Sequence, residues 1–92
     1  MLLTLEEIKT YLRVDYDDDD SLLLHLNNSA ELLCAHIARV TQEELRAMGD
    51  DNIRTAVMYA VAYLYEHRED ADHRKLALTL RALLFGIRKE GF

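Results

Sequence analysis

The segment 53–67, read as a helix, is apolar around nearly its whole circumference, and this feature limits the possible folds most. Core-type side chains recur there at helical spacing, and most of the remaining surface belongs to Met58, Tyr59, Ala62, Tyr63 and Tyr65. A helix of this kind is buried on more than one side. In a chain of 92 residues the protein's own core covers one side, so a second chain is a candidate for the other. The alternative is that the tyrosines pack under the following helix.

The rest of the chain predicts further helices joined by short turns. It has no proline and three glycines, so there are few obligatory helix breakers. Thr4 with Glu7 and Thr41 with Glu44 match the capping box, in which each side chain satisfies a free backbone N–H group. We predict an all-α fold with a single domain over 1–92, a small bundle of four to five helices with an irregular tail at 85–92. The predicted helices are 5–12, a long helix of about 21 residues that reaches Val40, 42–48, 53–67 and 74–84, with Asp50, Asp51 and Asn52 as cap residues ahead of the fourth.

The second predicted helix is the longest and forms the centre of the bundle. Its apolar side chains recur with a three–four alternation at Leu23, Leu26, Ala30, Leu33, Ile37 and Val40. The sequence places other residues outside this stripe, namely Asn27, Asn28, Glu31 and Arg39. Cys34 lies beside the stripe, which predicts a buried small apolar group. The first helix is expected to bury Leu5, Ile8, Tyr11 and Leu12.

A run of aspartates precedes the long helix. Its members are Asp15, Asp17, Asp18, Asp19 and Asp20. Side chains of like charge repel within a helix, but carboxylates are favourable at a helix N-terminus, where they cap free N–H groups. We therefore predict a turn at 15–17 and an N-cap at Asp18 or Asp19. A calcium loop is not expected, because the glycine and glutamate that such a loop needs are absent from the required positions.

Charge is divided unevenly along the chain. The formal net charge is −6, with −10 in residues 1–72 and +4 in residues 73–92. An acidic body is a poor general DNA binder, but this polarity suits head-to-tail pairing with further copies or docking on an acidic partner. The tail combines cationic and large apolar side chains, so we predict that it docks on a partner through Arg81, Phe85, Ile87, Arg88 and Lys89.

The sequence shows no evident catalytic or metal-binding site. Cys34 and His36 lie two residues apart on a helix and point in different directions, which predicts no zinc site. Neither a nucleophile elbow nor a glycine-rich phosphate loop occurs. We therefore predict no enzyme activity, no metal and no cofactor. No apolar run reaches the length of a membrane span. A helix-turn-helix DNA reader is an open alternative, although Arg54 would be the only cation of its recognition helix.

Four stretches occur in an order that resembles a known family. They are LTLEEIKTYLRVD at 3–15, DSLLL at 20–24, IRTAVMYAVAYLYEHRE at 53–69 and LRALLFGIR at 80–88. This order resembles the head–tail connector, or adaptor, family of tailed double-stranded DNA phages, whose members also occur as prophage DNA-packaging proteins. The resemblance extends over nearly the whole chain and rests on patterns of hydrophobic and turn residues.

The resemblance implies a structural virion protein. Such proteins look like small helical bundles that form a ring, commonly of about a dozen copies, below the portal vertex of the filled head; this ring extends the DNA channel and receives the stopper or tail. The implied partners are further copies, the portal protein and the stopper or tail protein, with DNA only passing through the channel. The implied location is the head–tail junction of the virion, and the host cytoplasm before assembly. The aspartate run would line the channel or face solvent.

A third class remains open on the sequence alone. It is a generic helical adaptor or dimerisation module, such as a toxin-neutralising or regulatory partner protein. The predicted interface between subunits is Met58, Tyr59, Tyr63 and Tyr65.

Overall fold

Five helices make up the part of the chain that the computed structural model describes, residues 2–67, 69 and 72–85. They are α1 (Leu5–Leu12), α2 (Asp20–Ala38), α3 (Gln42–Met48), α4 (Asp51–Glu66) and α5 (His73–Leu83). The predicted all-α class is confirmed. In the tail, Phe85 is described, whereas the predicted docking residues Ile87, Arg88 and Lys89 lie outside the described residues.

Both predicted capping boxes form. The Thr4 hydroxyl accepts from Glu7 N–H while Glu7 accepts from Thr4 N–H, and Thr41 and Glu44 repeat the arrangement. The predicted start of α4 at 53 is wrong by two residues, because Asp50 caps the helix by accepting a 2.9 Å hydrogen bond from Ile53 N–H. Likewise, α5 begins one residue earlier than predicted, after the Asp72 cap.

Two helices end at an arginine in the left-handed conformation. Arg13 has φ 61° and Arg39 has φ 63°, and the next residue in each case donates back to the helix, Val14 to Lys9 O and Val40 to Ala35 O. This is the Schellman arrangement, in which the position is usually glycine. The prediction that α2 extends to residue 40 is therefore wrong, because the backbone reverses at Arg39.

Glycine is expected to be better than arginine at position 13. A left-handed conformation costs a residue with a Cβ roughly 1–2 kcal/mol. Glycine avoids this cost, but it loses more backbone entropy on folding, and this loss cancels part of the gain in stability. Arg13→Gly should thus raise the free energy of unfolding by about 0.5–1 kcal/mol, measured by urea denaturation. Arg13→Ala is the control, because it removes the charge and keeps the strained backbone. Equal stability of the two variants would contradict the explanation.

The bundle is organised around α2 and α4, which pack against each other along their lengths. Helices α1 and α5 each pack against both of them, and α3 packs against α2. The core contains aliphatic side chains from all five helices, including Ile8, Leu23, Leu45, Ile53, Val57, Val61, Leu76 and Leu80. Leu2 and Leu3, ahead of α1, also lie in it.

Helix α4 is buried mainly by the protein's own helices. Since α1, α2 and α5 all contact it, internal packing covers most of the apolar circumference that the sequence showed. Tyr59 remains exposed, and Met58 is half-buried. The surface of α4 that is left for a partner is therefore narrower than the sequence pattern indicated.

Candidate interaction site

A concave, largely apolar groove lies between α1 and α4. It encloses about 360 Å³ and is lined mainly by Leu3, Tyr11, Thr55, Met58 and Tyr59, with Glu7, Asp51 and Arg54. Tyr11 is 58% exposed and Tyr59 37% exposed. The prediction that Tyr11 belongs to the buried face of α1 is wrong, since its side chain stands in the wall of this groove. Two of the four predicted interface residues, Met58 and Tyr59, lie here.

Arg54 fixes the two walls of the groove relative to each other. Its Nη1 donates a 2.6 Å hydrogen bond to Leu2 O, and its Nη2 donates to the carboxylate of Glu7 on α1. The pKa of Glu7 is lowered, first by the hydrogen bond from Thr4 N–H and also by Arg54. Arg54, the single cation of α4, therefore already forms hydrogen bonds within its own chain. This gives no support to a recognition helix that contacts phosphates.

The other two predicted interface residues use their hydroxyl groups inside the protein. Tyr63 Oη accepts a 3.0 Å hydrogen bond from Asp72 N–H, and its ring lies 4.3 Å from the His67 ring, centroid to centroid. Tyr65 donates a 2.7 Å hydrogen bond to Asp19 Oδ2. Hydrogen bonding with Tyr16 and then with Asp19 raises the pKa of Tyr65. Both tyrosines thus connect α4 to neighbouring segments, and their predicted role between subunits stays a prediction.

The aspartate run is partly neutralised within the protein. Lys9 Nζ lies 2.8 Å from Asp17 Oδ1 and 2.9 Å from Asp20 Oδ1, and its pKa is raised, first by the hydrogen bond to Asp17. Asp19 occupies the N-cap position as predicted but makes no side-chain cap hydrogen bond. The prediction that this carboxylate caps the helix is wrong, because it accepts from Tyr65 instead. Asp15 and Asp18 are exposed.

Two predicted docking residues of the tail are described. Arg81 lies on the exposed side of α5, and Phe85, just beyond its end, is 78% exposed. Leu78, also on the exposed side, is 59% exposed. The large apolar surface that the sequence predicted for the tail therefore begins on α5 itself.

Glu31 is a buried carboxylate that sequence reasoning missed. Its side chain is fully buried, and it accepts hydrogen bonds from Leu2 N–H at 3.0 Å, Gln42 Nε2 at 2.9 Å and Arg46 Nε at 2.8 Å. Burial by itself would raise the pKa of Glu31, but these hydrogen bonds outweigh burial and the pKa is lowered. The group joins the N-terminal segment, α2 and α3.

The placement of Asn27 and Glu31 outside the buried stripe of α2 is wrong. Asn27 is 2% exposed, and its Nδ2 donates to Glu31 Oε2. A signal was present, because Leu23, Asn27 and Glu31 follow one another at four-residue intervals on one face of the helix. Residue type obscured that signal, since Glu is almost never fully buried unless it is paired.

Cys34 is buried as predicted, and this burial determines its reactivity. Burial, aided by the negative charge of Glu31, raises the pKa of the thiol to about 12. A thiolate is the reactive species, so we expect Ellman's reagent to react with the native protein at pH 8 about a thousandfold more slowly than with the unfolded chain, because exposure needs unfolding. Guanidinium-unfolded protein is the control. Prompt reaction of the native protein would contradict the burial.

The described residues hold no group of three or more His, Cys, Asp or Glu side chains placed to bind a metal ion. Within the same residues, none of the helices combines the length and hydrophobicity needed to cross a bilayer.

Comparison with known proteins identifies the family. Residues 2–89 match the family described as phage gp6-like head-tail connector protein. No match was found among curated proteins or among solved structures. The family consists of structural phage proteins and is not known for enzyme activity. Since the match covers nearly all of the 92 residues, the chain belongs to the phage gp6-like head–tail connector family.

Proposed function

We propose that this protein forms a ring of about a dozen copies below the portal, extends the DNA channel and joins head to tail after DNA packaging. The family match over residues 2–89 carries the proposal. It acts in the virion at the head–tail junction, after synthesis in the host cytoplasm, and its partners are further copies, the portal and the stopper or tail protein. The proposed role is structural, and no catalytic group or cofactor takes part in it.

The surfaces of the structure support a role in assembly. The α1–α4 groove leaves Tyr11 and Tyr59 exposed beside Met58, and Leu78 on α5 and Phe85 just beyond its end are exposed as well. Aromatic residues and methionine are enriched at protein interfaces. Met58 and Tyr59 are the proposed subunit anchors. The segment 81–92, with Arg81 and Phe85 at its start, is proposed to contact the portal or the neighbouring subunit.

The exposed aspartates ahead of α2 fit a channel that DNA passes through. Asp15 and Asp18 are exposed, and they lie in the part of the chain with net charge −10. Binding to DNA depends mainly on neutralising phosphates with cations, so a lining of carboxylates would let the duplex slide instead of holding it. We propose that the aspartate run faces the channel.

Deletion of the gene from the phage that encodes it tests this function. We expect heads that package DNA and separate tails that never join them, seen by electron microscopy of lysates, with infectivity restored when the wild-type gene is supplied in trans. Normal joined particles without the protein would overturn the proposal. Failure to package any DNA would also overturn it, because the role proposed here begins after packaging.

A further inference from the structure

Helix α5 is amphipathic, and its outward face is both apolar and cationic. Its inward side chains, Leu76 and Leu80, are fully buried, with Leu84 just after the helix. The opposite face carries Leu78 and three exposed cations, Arg74, Lys75 and Arg81, and the exposed Phe85 lies just beyond the end of the helix. Exposed large apolar groups bordered by charged side chains are typical of an interaction surface.

The α1–α4 groove has the opposite charge. The exposed carboxylate of Asp51 lines it, and that of Glu6 lines an adjoining depression that shares Glu7, Tyr11 and Met58 with it. The one cation of the groove, Arg54, is already paired with Glu7, and its walls present Tyr11 and Tyr59. Two carboxylates therefore flank an apolar surface, and this is the complement of the outward face of α5.

We propose that the outward face of α5 of one copy packs into the α1–α4 groove of the next copy. Leu78 and Phe85 contact the tyrosines of the groove, while Arg81 and its neighbouring cations approach Glu6 and Asp51. This inference rests on the proposed function and assigns its subunit contact. The proposed contact brings together two surfaces that the sequence pattern indicated separately, the apolar surface of α4 and the cationic tail.

The proposed contact is heterologous, because one copy contributes a helix and the other a groove. The two surfaces share no residue, so every copy can use both at once, and the contact repeats until the rotation closes a ring. With 11 residues, α5 is about 16 Å long. A contact of that length is small for a stable pair, so closure of the ring, in which each copy is held twice, provides the stability.

Two variants that each damage one surface test the inference. The groove variant, Tyr11→Lys with Tyr59→Lys, places positive charge opposite the cationic helix. The helix variant, Leu78→Gln with Phe85→Gln, removes the apolar anchors and keeps the cations. Each variant alone should lose self-association by roughly thirtyfold or more, measured by sedimentation velocity at concentrations up to about 1 mM, which populates complexes of millimolar Kd.

An equimolar mixture of the two variants is the decisive measurement. One intact helix and one intact groove remain in the mixture, so at a concentration of about 1 mM it should form a weak one-to-one pair and nothing larger. Circular dichroism melts verify the fold, and Thr55→Lys, at an exposed position in the groove wall, replaces the groove variant if that variant unfolds. The matched control is Leu24→Gln with Leu32→Gln, which alters two exposed leucines of α2 and should leave assembly unchanged.

The outcomes separate this inference from the proposed function. If wild-type protein forms rings and both variants still form them, the subunit contact is elsewhere, and the connector role is unaffected. If the α2 control abolishes assembly while the helix variant does not, the inference is equally overturned. A wild-type protein that stays monomeric alone and with the portal would overturn both the ring and the contact. The assignment requires that each variant alone is monomeric and that the mixture of the groove variant and the helix variant forms a pair.

Discussion

Glu31→Ala is expected to lower the free energy of unfolding by about 2–4 kcal/mol, because hydrogen bonds to a charged group contribute about 1.5–3 kcal/mol each and their donors lose this acceptor. The Glu31 carboxylate is fully buried and accepts from Leu2 N–H, Gln42 and Arg46. Without it, Leu2 N–H remains buried with no acceptor, which carries its own desolvation cost. Guanidinium denaturation followed by circular dichroism measures the loss.

Two further variants separate the charge from the packing. Glu31→Gln keeps the shape and one acceptor oxygen, so we expect a smaller loss of about 1–3 kcal/mol. Glu43→Ala removes an exposed carboxylate of α3 and should change stability by less than about 0.5 kcal/mol. If Glu31→Ala were no worse than Glu43→Ala, the buried carboxylate would not hold the three segments together.

The pH dependence of stability has a defined sign at this residue. Folding lowers the pKa of Glu31 from its ordinary value near 4.5, so the unfolded chain binds the proton more readily than the folded protein. The stabilisation is complete above the unfolded-state pKa and is lost as pH falls through the folded-state pKa. Glu31→Gln should therefore flatten the fall of Tm below pH 4.5. An unchanged acid profile would contradict this explanation.

Leu80→Ala should be the second large effect, with a loss of about 2–5 kcal/mol for a fully buried leucine. Leu80 is 0% exposed on the inward face of α5, and removal of its side chain leaves a cavity between α5 and its two neighbours, α2 and α4. Leu78→Ala, two residues away on the exposed face, is the matched control, expected to stay within about 0.5 kcal/mol. Thermal melts of both variants, at a concentration low enough to keep them monomeric, give the comparison.

The same pair distinguishes folding from assembly. Leu80→Ala should weaken the monomer, whereas changes at Leu78 should act on self-association and leave the monomer intact. If Leu78→Ala destabilised the monomer as much as Leu80→Ala, α5 would be buried on both faces by its own chain. That result would also remove the outward face from consideration as a docking surface.

The helices and their boundaries were largely predictable, because they depend on local patterns. The capping boxes at Thr4 and Thr41 need only residues three apart, and the apolar periodicities need one or two turns. The errors at the ends of α2 and α4 come from particular residues. Arg39 takes a conformation usually reserved for glycine, and Asp50 caps α4 one turn before the apolar pattern becomes clear.

The candidate site was less predictable, because its contacts join distant residues. Tyr65 and Asp19 are 46 positions apart, and Arg54 and Glu7 are 47 apart. The pattern of α4 showed an excess of apolar surface but not how much of it α1, α2 and α5 would cover. Only Met58 and Tyr59, of the four predicted interface residues, line the groove, while Tyr63 and Tyr65 hold neighbouring segments through their hydroxyl groups.

The hydrogen bonds of Leu2 have a consequence for the order of events during synthesis. Its N–H group binds Glu31, 29 positions later, and its carbonyl oxygen binds Arg54, 52 positions later. A ribosome releases the chain in order from its N-terminal side, so Leu2 emerges before Glu31 and Arg54 and has no complete set of partners until α4 has left the exit tunnel. The segment around Leu2 therefore docks late, and its apolar side chains remain available to chaperones until then.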